Sequence, residues 1–451
     1  MSTNPWYKTI SSIKGPLLVV EKTKEVSYAE LCTVRVEDRE ILGQVLQASE
    51  DKVVVQLFDS PRGVDKTAQV QFSTKPALMG VSEDMLGVVF DGLGRPTSTD
   101  AYAPEDYRDM NGSAINPAAR TNPDSFVQTG ISTIDCMNTL VRGQKLPIFS
   151  QAGLPHNELA AEIVKHAQIA GEKFAVVFAA MGITNEEADY FLKTFEETGS
   201  MNKTAVFLNT ASDPSVERIL TPRAALTAAE YLAFEKDYHV LVVLTDFTNY
   251  CEALREISSA RGEIPGRRGY PGYMYTDLAA QYERAGMVEE SKGSITQIPI
   301  ISMPSGDKTH PIPDLTGYIT EGQIVLDEAL HKKGISPPIN PLPSLSRLMN
   351  NGLGAGKTRA DHAGVSDQLY ASYAQGVELR NLVAVVGESS LSETDKKYLR
   401  FAEAFENEFI HQPNSNRDIQ KTLDIGWQLL AMLPRNELKK VKKEHVQQYL
   451  Q

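Results

Sequence analysis

The chain has 451 residues, a length that predicts about three domains at roughly 150 residues each. Its 45 Lys and Arg residues against 58 Asp and Glu residues give a net charge of −13, which disfavours nucleic-acid binding because an acidic surface repels phosphate backbones. The 3 cysteines are too widely spaced for a metal-ligand cluster and too few for a disulfide scaffold, so we expect no metal site and a reducing compartment.

The first part of the chain has the spacing of a small antiparallel barrel or sandwich. Short runs of β-favouring residues are separated by turns that carry charges, Gly or Pro. These runs are Leu17–Val20, Thr33–Val36, Ile41–Leu46 and Val53–Phe58. We predict an N-terminal β-barrel domain over residues 1–75, followed by a glycine-bearing junction at Gly80–Pro96.

In the middle of the chain, apolar runs typical of buried strands alternate with amphipathic helices. The runs are Phe174–Ala180, Ala205–Asn209, His239–Thr245 and Ile295–Ile301, and the helices are Glu158–Ile169 and Glu187–Thr198. This alternation predicts an α/β domain over residues 76–354 with a parallel sheet covered on both faces. Ligands usually bind at the carboxyl ends of such strands, where we expect the functional motifs. None of the apolar runs reaches the ~18 residues that a membrane span needs.

The last part of the chain is predicted to be a helical domain over residues 355–451. Helical spacing recurs in three segments, Arg359–Tyr373, Ser392–Phe409 and Ile419–Met432. A final helix is predicted over Glu437–Gln451, where four lysines favour a solvated face.

A strand, a glycine-containing loop and a helix follow one another from Lys145 onward. This order matches the phosphate-binding loop GxxxxGK[ST], but Ser150 stands at the first glycine position and Pro155 at the last. His156 and Asn157 stand where that loop has Lys and Ser or Thr. Proline has no N–H for a phosphate, and Asn offers no hydroxyl to Mg²⁺. We therefore predict poor nucleotide binding and hardly any hydrolysis by this loop.

Two further segments resemble parts of a nucleotide site and have structural alternatives. Asp246 ends the apolar run from His239, and it could hold a phosphate-bound magnesium ion or cap the helix that follows. The segment Gly352–Thr358 ends in Gly-Lys-Thr, but Asn351 stands where the pattern requires the first glycine. We interpret this segment as an inter-domain loop.

Two arginine-bearing segments are candidates for contacts with a partner. Arg261–Gly272 is rich in Gly and Pro, and its paired arginines suit either water or a carboxylate-bearing subunit. Leu342–Arg347 follows a proline-stiffened stretch, so Arg347 is held in a fixed direction at an end of the sheet. Arg347 is either a plain surface arginine or a group that reaches a γ-phosphate on a neighbouring subunit.

Together these segments resemble the B (beta) subunit of V-type and archaeal A-type ATPases/ATP synthases, with the prokaryotic branch nearer, along nearly the whole chain. The strings that carry the resemblance are Gln128–Asp135, Asn138–Phe149, Val177–Ile183, Pro265–Tyr273, Thr309–Gly322 and Leu342–Arg347. The resemblance implies an N-terminal β-barrel, a central RecA-like P-loop NTPase domain and a C-terminal α-helical domain.

The resemblance also implies a regulatory, non-catalytic subunit with little or no ATPase activity alone. In that family, three B subunits alternate with three catalytic A subunits in an A3B3 ring around a rotor shaft, with peripheral stalk subunits. The complex couples ATP synthesis or hydrolysis to proton or sodium transport. The implied location is cytoplasmic, at the inner face of the cell membrane, with membrane contact only through the complex.

For the site residues, the resemblance makes Arg347 the arginine finger that completes the catalytic site of the adjacent A subunit. It places ATP or ADP at subunit interfaces, and Mg²⁺ on the A subunit. The degenerate nucleotide-contact candidates of this chain are Ser150, Gln151, Ala152, Gly153, Leu154, Pro155, His156, Asn157 and Asp246. Ala152 replaces a serine of the family loop and Gln151 a small residue, which further weakens any nucleotide contact there.

Two other functions stay open as alternatives. A self-sufficient hexameric ATPase of the F type or secretion type requires the Lys and Ser or Thr that His156 and Asn157 replace. A RecA-like RNA-binding motor similar to the termination factor Rho requires a basic channel, which the net charge of −13 disfavours.

Overall fold

The computed structural model describes residues 4–21, 26–37, 39–58, 61–98, 102–169, 172–387, 389 and 391–450. The described strands form three sheets, and helices follow mainly in the central and C-terminal parts of the chain. The residues 1–3 and Gln451, to which two of the sequence predictions extend, lie outside this set.

The N-terminal strands form one seven-stranded antiparallel sheet in the order β1-β7-β4-β5-β6-β3-β2. Its strands are β1 (Trp6–Tyr7), β2 (Ile10–Lys14), β3 (Leu17–Glu21), β4 (Glu30–Val36), β5 (Arg39–Ala48), β6 (Lys52–Leu57) and β7 (Gln69–Pro76). Buried and partly exposed residues alternate along β3 and β4, so the inner face packs a separate core. The four strands predicted here correspond to β3 to β6 and are confirmed.

A two-stranded sheet, β8 (Leu78–Val81) with β10 (Asp106–Asp109), follows the first sheet. The largest sheet has the order β18-β17-β11-β16-β14-β12-β13-β9, with β15 beside β16. Its strands are β9 (Val89–Asp91), β11 (Ile148–Gln151), β12 (Phe174–Ile183), β13 (Thr204–Thr210), β14 (His239–Thr245), β15 (Gly286–Met287), β16 (Ser294–Met303), β17 (Gly322–Val325) and β18 (Leu345–Ser346). The seven strands from β17 to β9 pair in parallel, while β15 and β18 run antiparallel. The predicted parallel sheet is confirmed.

Helices cover both faces of this sheet. They are α1 (Ser132–Met137), α2 (His156–His166), α3 (Asn185–Glu197), α4 (Ser215–Glu230), α5 (Phe247–Ala260), α6 (Met274–Tyr282), α7 (Pro311–Ile319) and α8 (Glu328–Lys332). Along β12 the side chains alternate between two cores: Val177 packs with α4 and α5, and Phe178 packs with α2 and α3. This alternation explains why the strand is apolar throughout.

The C-terminal helices are α9 (His362–Val386), α10 (Glu393–Ala404), α11 (Ile419–Leu430) and α12 (Lys443–Tyr449). The prediction of one helix over Glu437–Gln451 was wrong, because the N–H of Lys440 donates to Oε1 of Gln368 at 2.9 Å instead of within a helix. The four lysines of this segment are exposed, as predicted. The ring of Tyr449, by contrast, stacks on Trp427 with 5.1 Å between centroids.

Helix α2 also ends earlier than the predicted Ile169. The N–H of Ala167 closes the helix on the carbonyl oxygen of Ile163 at 2.8 Å. The next N–H, of Gln168, donates to the carbonyl oxygen of Gln128 at 3.2 Å, so the chain leaves the helix to pair with another segment. The predicted domain boundaries, 75/76 and 354/355, stay predictions.

Candidate functional site

The segment 150–157 connects β11 to α2 at the carboxyl end of the parallel sheet, which is the strand-loop-helix arrangement that the sequence predicts. Gly153 has a φ of 83°, a left-handed conformation that turns the chain back toward the helix. The loop therefore has the shape of a phosphate-binding loop, and its function depends on where its polar atoms point.

Several polar atoms of this loop are hydrogen-bonded within the loop. The N–H of His156 donates to the carbonyl oxygen of Leu154 at 2.8 Å, and the N–H of Leu154 donates to that of Gln151 at 3.2 Å. The imidazole Nδ1 of His156 lies 3.0 Å from the same Leu154 oxygen and 3.3 Å from Oγ of Ser150, so Nδ1 carries the proton that it donates to the carbonyl. Pro155 has no N–H. These donors are not directed at a phosphate.

Asn157 stands at the position of the Mg²⁺-binding hydroxyl and is bonded to a carboxylate. Its Nδ2 donates to Oε1 of Glu187 at 2.7 Å, and the other oxygen of Glu187 accepts from the N–H of Thr184 at 2.7 Å. Glu187 thereby joins the start of α2 to the start of α3. A carboxylate beside this position repels a phosphate.

The cavity beside the loop is small and acidic. It has a volume of about 150 Å³ and is lined by Pro155, Glu158, Glu162 and Tyr190, with residues 412–415 on its far side. A cavity of that volume is below the ~300–1,000 Å³ of sites for drug-sized ligands. A hydrogen bond from His166 lowers the pKa of Glu162, which keeps this carboxylate charged. The cavity is unfavourable for a nucleotide.

Asp246 has the structural role that the sequence analysis left open. It is buried and caps α5, since Oδ1 accepts from the N–H of Thr248 at 2.8 Å. Both carboxylate oxygens also accept from the N–H of Ser302 at 3.2 Å, and Oδ2 accepts from its hydroxyl. Both carboxylate oxygens of Asp246 therefore accept hydrogen bonds from the protein itself. Among the described residues, no group of three or more His, Cys, Asp or Glu could hold a metal ion.

The segment Gly352–Thr358 is a closed turn. The N–H of Thr358 donates to the carbonyl oxygen of Gly354 at 2.9 Å, and Nζ of Lys357 donates to that of Asn351 at 2.7 Å. It follows a 3-10 turn, Met349–Gly352, and not a strand that could begin a phosphate-binding loop. The lysine is therefore not presented to a ligand.

The paired arginines of the loop 261–272 bind acids of the same chain. Nη1 of Arg267 lies 3.3 Å from Oδ2 of Asp314, and Nη2 of Arg268 lies 2.8 Å from Oδ2 of Asp307. Both side chains are about half exposed, so the ion pairs leave part of each guanidinium in water. The acidic partners of these arginines are Asp307, which precedes α7, and Asp314, which lies within α7.

Arg347 is exposed and lies at the opposite end of the strands from the loop. Ser346 pairs with Gly322 at the amino end of β17, whereas β17 and β11 run parallel with Ile324 beside Ile148. By this register Gln151 is level with position 327. Arg347 follows Ser346 in the antiparallel strand and is level with Glu321, six residues earlier. At about 3.3 Å per residue, the loop and Arg347 are about 20 Å apart along the strands. The expectation that the motifs gather at the carboxyl ends was wrong for Arg347.

Several hydrogen bonds fix the backbone that presents Arg347. Its N–H donates to the carbonyl oxygen of Glu321 at 2.9 Å, and its Nη1 to that of Thr320 at 3.1 Å. The hydroxyl of Ser346 donates to the carbonyl oxygen of Thr139 at 2.8 Å and accepts from Nε2 of Gln144 at 2.9 Å. Ser346 is buried while Arg347 is exposed. Ser346 therefore anchors the strand, and Arg347, the next residue, extends from it.

Two supporting residues were missed by the sequence analysis. A Cβ on Gly322 would lie 2.0 Å from the carbonyl oxygen of Leu345, so only glycine lets β18 approach. Lys145 is 4% exposed and binds Glu321 at 2.8 Å and Glu283 at 3.1 Å. For Gly322, the sequence signal was a glycine at the start of a short strand. For Lys145 no sequence signal was available, because its partners lie far along the chain.

Comparisons with known proteins match three successive parts of the chain. Residues 10–74 match the beta-barrel domain of the ATP synthase alpha/beta family, and residues 130–346 match its nucleotide-binding domain. Residues 351–450 match the C-terminal domain of V and A type ATP synthase.

Individual relatives match over nearly the full length. The V-type ATP synthase beta chains of two strains of Thermus thermophilus are each 58% identical over 455 aligned residues, which cover 98% of this chain and 95% of theirs. The solved structure of the ATP synthase subunit NeqB from Nanoarcheaum equitans is 43% identical. It covers 93% of this chain and 100% of its own, with a TM-score of 0.74. No helix in the described ranges is long and apolar enough to cross a membrane.

Proposed function

Because the chain belongs to the ATP synthase alpha/beta family and is a V/A-type B (beta) subunit, we propose that it is the regulatory, non-catalytic partner of a catalytic A subunit. Three copies alternate with three A subunits in an A3B3 ring around a rotor shaft, with peripheral stalk subunits outside. The ring lies at the cytoplasmic face of the membrane. It couples ATP synthesis or hydrolysis to proton or sodium transport through a separate membrane sector.

The observation that carries this proposal is the outward presentation of Arg347. The side chain is exposed, its strand is fixed by buried hydrogen bonds, and the chain's own loop lies at the other end of the sheet. In a closed ring each subunit faces two neighbours with different surfaces. An arginine so placed serves the site of a neighbour.

Arg347 contributes charge and geometry to that neighbouring site. Its guanidinium is always protonated and offers planar, paired N–H donors to phosphate oxygens. Negative charge spreads over these oxygens during phosphoryl transfer, and a fixed guanidinium stabilises the transition state more than the ground state. We therefore assign Arg347 as the arginine finger of the adjacent A subunit.

The nucleotide bound at this interface belongs mainly to the A subunit in our proposal. The loop Ser150–Asn157 keeps the fold of a nucleotide site, but the N–H groups of Leu154 and His156 bond within the loop and Asn157 bonds Glu187. Mg²⁺ does not suit this loop, because Asp246 is bonded to Ser302 and Thr248. Both the ion and the chemistry are therefore assigned to the A subunit.

The test is ATP turnover by three preparations: this chain alone, the A subunit of the same organism alone, and the two mixed. We expect no turnover by this chain alone, because its loop lacks the phosphate-binding lysine. We expect the mixture to form an A3B3 hexamer by native mass spectrometry and to hydrolyse ATP faster than the A subunit alone. Turnover by this chain alone would instead support the self-sufficient ATPase.

A further inference from the structure

A cavity of about 240 Å³ lies between the N-terminal sheet and the central domain. Strands β5 and β6 form one wall, and helices α4 and α5 form the other. None of the residues of the loop 150–157 lines it, nor does Arg347. The cavity is therefore separate from the proposed catalytic interface.

Part of the lining of this cavity is apolar. Val45 of β5, Leu220 of α4, and Leu254 and Ile257 of α5 line it, and each of these side chains is at most 4% exposed. Such a wall favours hydrocarbon and gives water few partners. A ligand here has an apolar body.

The lining also includes an amide with a free donor. Gln56 is 2% exposed, and its Oε1 accepts from Nη2 of Arg261 at 2.8 Å. This bond fixes the orientation of the amide, so Nε2 is the atom left over, and it has no hydrogen-bond partner among the described residues. A buried donor without a partner is destabilising.

Two guanidiniums add further free donors beside Gln56. Arg223 bonds Asn111 at 3.2 Å and Asp277 at 3.1 Å through its terminal nitrogens, but its Nε has no partner. Nε of Arg261 is likewise buried and unpartnered. Within the described part of the chain, every buried unpartnered polar atom on the residues lining this cavity is a donor.

The lining residues carry charges of both signs. Arg223 and Arg261 contribute two positive charges and Asp277 one negative charge, while Oε1 of Glu263, outside the lining, lies 3.5 Å from Nη1 of Arg261. Water would bring as many donors as acceptors, whereas a carboxylate brings acceptors only. The free donors and the apolar wall point to one class of ligand.

We propose that this cavity binds a small organic acid with one carboxylate and a short apolar body. The carboxylate accepts hydrogen bonds from Gln56, Arg223 and Arg261, and the body lies against Leu220 and Ile257. The cavity volume of about 240 Å³ is below the ~300–1,000 Å³ of sites for drug-sized molecules. The ligand is therefore smaller than a drug-sized molecule. Because the site joins the barrel to α4 and α5, binding stabilises the contact between these two domains.

The experiment uses the full chain with benzoate as the probe and benzamide as its uncharged counterpart. Saturation-transfer NMR detects binding, and thermal unfolding detects stabilisation. We expect benzoate to bind and raise the Tm, and benzamide to do neither. Absence of benzoate binding, or equal binding of benzamide, would overturn the proposal.

Three variants locate the binding. Gln56→Glu removes the free donor and adds a negative charge, so we expect benzoate affinity to fall about tenfold or more. Gln47→Glu makes the same change on the exposed end of β5 and should leave the affinity unchanged. Ile219→Phe fills the cavity without touching the charges and should also abolish binding. Benzoate binding that persists in both Gln56→Glu and Ile219→Phe would place the ligand elsewhere and refute the assignment.

Discussion

At the carboxyl end of β11, the loop 150–157 bonds the N–H groups of Leu154 and His156 and the imidazole of His156 within the loop. At the amino end of β17, by contrast, Arg347 extends into solvent from a strand fixed by Ser346 and Gly322. The same sheet thus carries the loop and the exposed arginine about 20 Å apart along its strands. The shape and the chemistry of a loop are therefore separable: β11 and α2 keep the shape, while Pro155, His156 and Asn157 lack the groups of a phosphate-binding loop.

The largest effect on ATP turnover is expected from substitutions of Arg347. Arg347→Ala should leave the A3B3 ring intact and lower ATP turnover of the mixture ~10³-fold or more, the range for arginine fingers. Arg347→Lys keeps the charge but loses the paired donors, so it should recover only part of the turnover. Native mass spectrometry and a coupled ATPase assay measure both. Full turnover by the ring with Arg347→Ala would contradict the arginine-finger assignment. It would leave no functional difference between Arg347 and the loop 150–157.

The second prediction concerns the position of Arg347. A Cβ at Gly322 would lie 2.0 Å from the carbonyl oxygen of Leu345, so Gly322→Ala should displace β18 and reduce turnover by about 10–100-fold, the effect of a ~1 Å misplacement. Gly317→Ala is the matched control, since no atom lies within 4 Å of its added Cβ. If both variants keep full turnover, the strand does not position the arginine.

A smaller effect is expected from the anchor residue. Ser346→Ala leaves the carbonyl oxygen of Thr139 without this donor and removes the bond from Gln144. We expect the free energy of unfolding to fall by about 1–2 kcal/mol and turnover to fall by a few-fold. Leu345→Ala, on the exposed side of the same strand, should leave the unfolding free energy of the isolated chain nearly unchanged. Urea denaturation compares the two variants, and equal stability would contradict the anchoring role.

The smallest effect on ATP turnover is expected from a substitution in the loop 150–157. His156→Ala removes an imidazole that bonds only Leu154 and Ser150 of its own loop. We expect turnover of the mixture to stay within about twofold of the unmodified ring, equivalent to ~0.5 kcal/mol. A large loss would show that this histidine contacts nucleotide, and would require a new interpretation of the loop.

Periodicity in the sequence predicts the regular parts of the fold well. His239–Thr245 is the observed β14, and the four N-terminal runs correspond to observed strands. These elements are decided by local apolar spacing, which is visible in the sequence. The degenerate loop was also visible, because Pro155 and Asn157 lack groups that a phosphate-binding loop needs.

The remaining features depend on residues far apart in the chain. The antiparallel strand β18 is only two residues long, too short for a pattern, so the end of the sheet at which Arg347 lies was not predictable. The partners of Arg267 and Arg268 come from Asp314 and Asp307, and Gln368 interrupts the last helix at Lys440. In each case a tertiary hydrogen bond or ion pair overrides a local pattern.

The bond between Asn157 and Glu187 also bears on how such a chain can evolve. Restoring a phosphate-binding loop requires Gly at 150 and 155, Lys at 156 and Ser or Thr at 157, and it also requires Glu187 to release position 157 while still capping α3. Several changes must therefore occur together before the loop regains these groups, so we expect any single substitution in it to restore little nucleotide binding.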